Sequence, residues 1–311
     1  MKELVLNLRH LNKGSVAIAG GKGAQLGELI SAGINVPAGF VVLTSAFDLF
    51  LEEANLRERV NALLEQAVQS DQKSIKRASE AIRALINSAL IPGEIGKNVL
   101  GEFGKLGAEF VAVRSSATAE DAGNASWAGE LETYTNQTRE TVLEAVKNCW
   151  SSLFTPRAIF YRKEKNIGGS ISVAVVVQKM VDSEVSGVAF SVHPVSKNKN
   201  QVIIEAGFGL GESIVSGAIT PDSYIVNKQE MFIETIRVNA QEKMLARKDG
   251  QTVELEVPKN VREKQKLSGD KIAELAGIVK RIENHYGFAQ DIEWALVGGQ
   301  IFILQSRPVT A

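Results

Sequence analysis

The sequence predicts an α+β fold (mixed α/β) built as two lobes, on three observations. The chain has 311 residues, enough for two domains of about 100–200 residues each. Apolar positions recur at helical spacing through much of the first half, whereas short β-branched or alternating runs dominate from residue 170 onward. The composition, 44% hydrophobic and 23% charged, suits a chain with a sizeable core. The lobes are expected to span 1–180, helix-rich, and 181–311, strand-rich.

Taken in order, "AQLGELISAG" reads as a short helix stopped by Gly33, and "VPAGFVVLT" as a turn into a strand. Over 44–69 the residues Phe47, Phe50, Leu51, Ala54, Val60, Leu63, Leu64 and Ala67 predict one amphipathic helix or a broken pair. "SIKRASEAIRALINSAL" repeats the pattern and stops before Pro92. An apolar strand over 110–113 then delivers Arg114 into a long Ser/Thr-rich loop. "ETVLEAVKNCWSSLF" puts Cys149 on an apolar helical stripe, so the thiol reads as core packing. The strand-like runs "ISVAVVVQKM", "SGVAFSV", "QVIIEAGF", "SYIVN" and "MFIETIRVN" follow. A helix over 268–286 has Ser268 as N-cap and Gly287 as stop, and "AQDIEWALVGGQIFILQSRPVT" reads as a closing hairpin.

Several classes of function are disfavoured. A formal net charge of −1 gives no electrostatic case for nucleic acid or an anionic membrane as partner. One cysteine allows no internal disulfide and no cysteine-rich zinc site, and His10, His193 and His285 are too scattered for a histidine site. There is no run of about 18 apolar residues, and "MKELVLNLRH" lacks a signal-peptide core. A cytoplasmic setting is expected.

Four features could carry chemistry. "GGKGAQLGEL" resembles a phosphate loop but fails the Walker pattern, since Gly23 follows Lys22 where Ser or Thr is needed; a glycine-rich turn with a surface lysine is the alternative. "EAGFGLGES" places Gly207, Gly209 and Gly211 after a strand, where backbone can approach a ligand or simply turn. Arg114 ends its strand. In the hairpin, a three-residue loop of Gly298, Gly299 and Gln300 would pair Val297 with Ile301, Glu293 with Gln305 and Asp291 with Arg307, leaving Ile292, Trp294, Leu296, Phe302 and Leu304 on a core face. Acid, amide and guanidinium together suit Mg²⁺ and phosphate, or equally a cross-strand Asp–Arg and Glu–Gln pairing on an exposed face.

In order, "GGKGAQLGEL…VPAGFVV", "VAVRSSATAEDAGNASWAGELET", "SLFTPRAIFYR", "QKMVDSEVSGVAFSVHPV", "GFGLGESIVSGAITPDSY" and "QDIEWALVGGQIFILQSRPVT" resemble the ATP-binding domain of the phosphoenolpyruvate synthase (pyruvate, water dikinase) family. That family is related to pyruvate phosphate dikinase and rifampin phosphotransferase. The resemblance covers the whole chain, most weakly over 50–105 and 228–265. It implies an ATP-grasp fold with ATP held between the lobes. Lys22 and Arg114 would grip phosphates, with Gly129 and Thr133 on the loop above them and Gln178 at the adenine. Glu293 and Gln305 would hold Mg²⁺ and Arg307 would bind phosphate, so Lys22, Arg114 and Arg307 would be catalytic. The family passes the β-phosphoryl group of ATP to a histidine on a separate carrier domain, releasing AMP and phosphate.

Two departures stand out. Glu130 replaces the glutamine common in relatives, and the Thr-x-Gly-Gly-x-x-Ser-His carrier motif and pyruvate-binding barrel are absent. The resemblance therefore implies the ATP half-reaction only, with the carrier histidine supplied elsewhere. The final acceptor would be pyruvate or, as in rifampin phosphotransferase, an antibiotic hydroxyl. A nucleotide-binding regulatory module without transfer activity is the alternative of another class.

Overall fold

The computed structural model describes residues 2–118, 132–165 and 172–309. The chain divides into two compact units, Met1–Glu28 with Ala38–Met180, and Leu29–Pro37 with Val181–Ala311. Residues 29–37, expected in the first lobe, pack with the second unit. Leu29 and Ile34 are buried in its core, and Asn35 donates through Nδ2 to Ile301 O at 2.8 Å and accepts at its carbonyl from Ile303 N at 2.8 Å.

In chain order the elements up to residue 180 are β1 (Val5–Asn7), α1 (Val16–Ser31), β2 (Gly39–Val42), α2 (Thr44–Glu53), α3 (Arg57–Gln66), α4 (Gln72–Ser88), α5 (Gly93–Leu106), β3 (Val111–Ala117), β4 (Thr133–Gln137), α6 (Val142–Ser152), α7 (Pro156–Glu164) and β5 (Val173–Lys179). The strands form one antiparallel sheet in the order β1-β2-β5-β3-β4. One face carries Phe40, Val42, Val111, Val113, Val173, Val175 and Val177 into the core, where Trp150 of α6 lies against Phe47 and Phe50 with ring centroids 5.7 and 4.9 Å apart. The 44–69 stretch is the broken pair, interrupted at Asn55, whose φ of 53° is tolerated by a short amide side chain. Glycines dilute the sequence pattern of α5, yet Ile95, Val99 and Phe103 recur every fourth residue and are buried.

The second unit continues with β6 (Val185–Phe190), β7 (Gln201–Phe208), α8 (Glu212–Val215), β8 (Asp222–Asn227), β9 (Ile233–Arg237), β10 (Lys243–Lys248), β11 (Gln251–Glu256), α9 (Gly269–Tyr286), β12 (Gln290–Val297) and β13 (Gln300–Pro308). Its six-stranded antiparallel sheet runs β13-β12-β6-β7-β8-β9, and β10-β11 form a separate ribbon. α9 is capped by Ser268, whose Oγ accepts from Lys271 N, and ends at Gly287 in the left-handed region. Ile272, Leu275, Ala276, Val279 and Ile282 bury one stripe of α9 in a core shared with Ile204, Tyr224 and Trp294. Full burial of each large aliphatic side chain contributes about 1.5–3 kcal/mol before entropy is counted. The ribbon turns at Asp249–Gly250, both at positive φ, a two-residue hairpin signal that was legible in the sequence.

A buried ion pair closes this unit. Lys266 Nζ meets Asp222 Oδ1 at 2.8 Å with both side chains fully buried. The carboxylate also accepts from Asn239 N at 2.9 Å, Lys266 N at 3.0 Å and the Tyr224 hydroxyl at 2.7 Å. Such saturation is what makes a buried charge pair tolerable.

Candidate functional site

In the first unit, strand register assembles one face of the sheet. Arg114 lies opposite Val176 on β5 and Thr133 on β4, while Ala112 and Gly39 lie opposite Gln178. Side chains directly opposite share a face, as do those two residues apart. Gln178, Arg114, Ser116 and Thr133 therefore occupy the face away from the core valines. Gln178 is buried, Arg114 half-buried and Thr133 exposed. Arg114 was expected at a strand end, but β3 continues to Ala117 and embeds it in the strand. Thr133 was expected on a loop and instead opens β4. Gly129 and Glu130 lie outside the described residues.

The glycine segment meets this face as a kinked helix. Within α1 the backbone breaks at Gly20 (φ 68°, ψ 174°), so Gly21–Lys22 form the first turn of the helical run that follows. A Cβ at Gly20 would sit 2.2 Å from Ser116 O, so only glycine fits. Ser116 Oγ donates to Ala19 O at 2.8 Å and accepts from Gly23 N at 3.2 Å. One strand residue, two beyond Arg114, thereby anchors both sides of the kink. The anchored turn puts Lys22 at the positive end of the helical run that follows, an arrangement able to attract phosphate.

Behind the sheet, Cys149 is fully buried, and burial pushes its thiol up to about 12, with the Lys22 charge acting in the opposite direction. Glu132, beside Thr133, is held by Arg83 at 3.5 Å and by the Tyr134 hydroxyl. Neither Ser116 nor Arg83 was singled out in the sequence. Ser116 was legible in the "RSSAT" run, whereas nothing local marked Arg83.

In the second unit the hairpin turns through Gly298 and Gly299 alone, with φ of 55° and 75°, and Val297 pairs with Gln300. The three-residue loop is thus corrected to two. Alone, that turn would oppose Glu293 to Leu304, but Leu304 is the extra residue of a β-bulge between Trp294↔Ile303 and Glu293↔Gln305. Beyond the bulge the expected pairs stand, Glu293 with Gln305 and Asp291 with Arg307. Before it the parity differs, and Ile301 and Ile303, in place of Phe302 and Leu304, join Trp294 and Leu296 in the core. Arg307 binds Asp291 through Nη2 at 2.7 Å and Nε at 2.8 Å.

The Glu293–Gln305 pair fits Mg²⁺ chemically. It offers a carboxylate and an amide oxygen from directly opposed positions on adjacent strands. A hard cation that keeps waters and takes phosphate oxygens needs no fuller cage. Among the described residues, no group of three or more His, Cys, Asp or Glu could hold a metal. Glu205 lies in the same cross-sheet row, through Val188, and burial raises its carboxyl above the ordinary range; a carboxylate within the apolar "VIIEA" run was its sequence signal.

Of the glycines in "GFGLG", Gly209 serves the fold. Gly209 (φ 84°) would place a Cβ 2.3 Å from Leu245 O, and Leu210 N donates to that carbonyl at 2.8 Å, so the close approach is to the β10–β11 ribbon. His193 is likewise structural, its Nδ1 accepting from Val195 N and Ser196 N at 3.2 Å. No helix among the described residues is long and apolar enough to cross a membrane.

Within the first unit Lys22, Arg114 and an anchored helix start, and within the second unit an acid–amide pair, are each of a kind used by proteins that handle polyphosphates. The family described as pyruvate phosphate dikinase, AMP/ATP-binding domain, matches residues 16–311, and the chain belongs to it. It is 44% identical, over all of its length and 46% of the other's, to a probable phosphoenolpyruvate synthase of Methanothermobacter thermautotrophicus. It is 46% identical, over 98% of its length and 41% of the other's, to a probable phosphoenolpyruvate synthase of Archaeoglobus fulgidus. A rifampicin phosphotransferase of Bacillus subtilis is 38% identical over the whole chain and 36% of its own length. The chain thus spans less than half the length of these relatives.

Proposed function

We propose that this chain carries out the ATP half-reaction of a phosphoenolpyruvate synthase, Mg²⁺-dependent and directed at a histidine on a separate carrier domain. Overall, ATP, water and the histidine would give AMP, orthophosphate and phosphohistidine, the β-phosphoryl group moving to an imidazole nitrogen. The observation that carries the reading is the bulge-restored register of Glu293 with Gln305 and Asp291 with Arg307.

Bound Mg²⁺ would neutralise charge on the phosphate oxygens, with Glu293 and Gln305 as its protein ligands. Lys22 and Arg114 would hold phosphate oxygens, and Arg307, oriented by Asp291 at its Nε and Nη2, would do so through its remaining guanidinium N–H groups. Thr133, opposite Arg114, and Gly129 would contact the same phosphates, and buried Gln178 would meet the adenine. Phosphoryl transfer calls chiefly for in-line positioning and charge stabilisation, which these groups supply without a protein nucleophile of their own. The setting would be cytoplasmic, and the product phosphohistidine would serve phosphoenolpyruvate formation from pyruvate.

A second reading, an antibiotic phosphotransferase, draws on the 38% identity to the rifampicin enzyme. It shares the half-reaction and differs only in the final acceptor. The test is to incubate the chain with Mg-ATP and a histidine carrier domain and to identify the products. AMP with phosphohistidine supports the proposal; ADP, or nucleotide binding without turnover, rejects it.

A further inference from the structure

β4 is an edge strand whose own sequence specifies its register weakly. Its residues, "TYTNQ", pair with β3 across an irregularity between Val111 and Val113. Only Tyr134 among them is hydrophobic, and it packs against the first unit's core. Polar strands of this kind are prone to slip, and a slip of one residue would turn Thr133 from the face of Arg114 to the opposite one.

Glu132, immediately before β4, is tied down through both backbone and side chain. Its carbonyl accepts from Ser115 N and Ser115 Oγ, each at 3.2 Å. Its carboxylate meets Arg83 Nη2 at 3.5 Å and accepts from the Tyr134 hydroxyl. Ser151 Oγ in turn accepts from Arg83 Nε at 3.2 Å, so residues of α4, α6 and β3 converge on one position. Burial first, and then the Glu132 carboxylate, raise the Tyr134 hydroxyl above its ordinary value, which keeps it a donor at neutral pH. With the side chains of Glu132 and Tyr134 joined on one side of the strand, alternation leaves Thr133 on the other, opposite Arg114. The Arg83 and Glu132 side chains are 34% and 37% exposed, so their ion pair contributes modestly by itself, and the joint hold of all three partners sets the register.

We infer that Glu132 is a positioning residue: held by Arg83, Tyr134 and Ser115, it fixes the register of β4 and so keeps Thr133 opposite Arg114. The inference rests on the reading of Thr133 as a phosphate contact, and it adds Glu132 and Arg83 as residues that act through Thr133.

The test combines amide hydrogen exchange with nucleotide affinity, both on the whole chain. Exchange over 133–137 is expected to quicken by about threefold or more in Arg83→Met and about tenfold or more in Glu132→Ala, while α9, in the other unit, keeps its rates. ADP without Mg²⁺ is the nucleotide probe, so that the metal ligands play no part. Its affinity should fall in Thr133→Ala and by about threefold or more in Glu132→Ala, whereas Glu132→Ala added to Thr133→Ala should lower it little further. Unchanged exchange over 133–137 in both variants, unchanged ADP affinity in Glu132→Ala, or losses from Glu132→Ala and Thr133→Ala that simply add would each overturn the inference, the last being the mark of a merely structural role. In those outcomes Thr133→Ala is still impaired; if instead Thr133→Ala binds ADP as wild type does, the phosphate reading of Thr133 fails and the inference falls with it.

Discussion

Glu293 and Gln305 stand directly opposite each other on β12 and β13 because a bulge absorbs Leu304. If the pair holds Mg²⁺, removing the carboxylate must weaken metal-dependent binding more than metal-free binding. Glu293→Ala is expected to lower Mg-ATP affinity by about tenfold or more, while nucleotide binding without Mg²⁺ changes little. Calorimetry with and without the metal decides; equal losses in both would remove Glu293 from the metal.

Gly20 is held in a backbone region essentially reserved for glycine and lies against Ser116. Gly20→Ala is expected to destabilise the first unit by at least about 2 kcal/mol, from backbone strain and steric overlap together. Ser116→Ala, which removes two hydrogen bonds without strain, should cost about 1–3 kcal/mol. Urea unfolding measures both, and a neutral Gly20→Ala would contradict the described kink.

Lys266 and Asp222 form a fully buried pair, so truncating one partner leaves the other charge without compensation. Lys266→Met is expected to cost about 3–5 kcal/mol, and Lys266→Met/Asp222→Asn distinctly less. A double-mutant cycle by denaturant unfolding tests this; additive losses would mean that the two side chains do not act as a unit.

Burial raises the Cys149 thiol from its ordinary 9.0 to about 12. The unfolded chain gives up this proton first as pH rises, so the thiol's contribution is complete below about 9 and lost progressively towards about 12. Thermal melts between pH 8 and pH 11 should show a fall that Cys149→Ser reduces. A thiol reagent at pH 8 should label the protein only on unfolding, and rapid labelling of the folded chain would refute the burial argument.

The parts of this architecture legible in sequence are those set by local pattern. The α9 stripe, its Ser268 and Gly287 ends, the core position of Cys149 and the polar end of the hairpin follow from periodicity and capping. What escaped depended on tertiary contact. The hairpin count balanced at its far end only because a bulge compensated for a shorter turn, and no local signal at Leu304 announces that bulge. Arg114 reads as a strand end until β4 and β5 flank it. Gly209 of "GFGLG" suggests a ligand until the β10–β11 ribbon occupies the space beside it. Ser116 and Gly20 are 96 positions apart, and only the fold brings them together.

The fate of labelled phosphate tests the central claim most directly. With ATP labelled at the β-phosphorus, Mg²⁺, this chain and a histidine carrier domain, acid-labile label should appear on the carrier while unlabelled AMP accumulates. With γ-labelled ATP the label should appear in orthophosphate. Transfer of γ-label to the carrier with ADP as co-product would contradict the account.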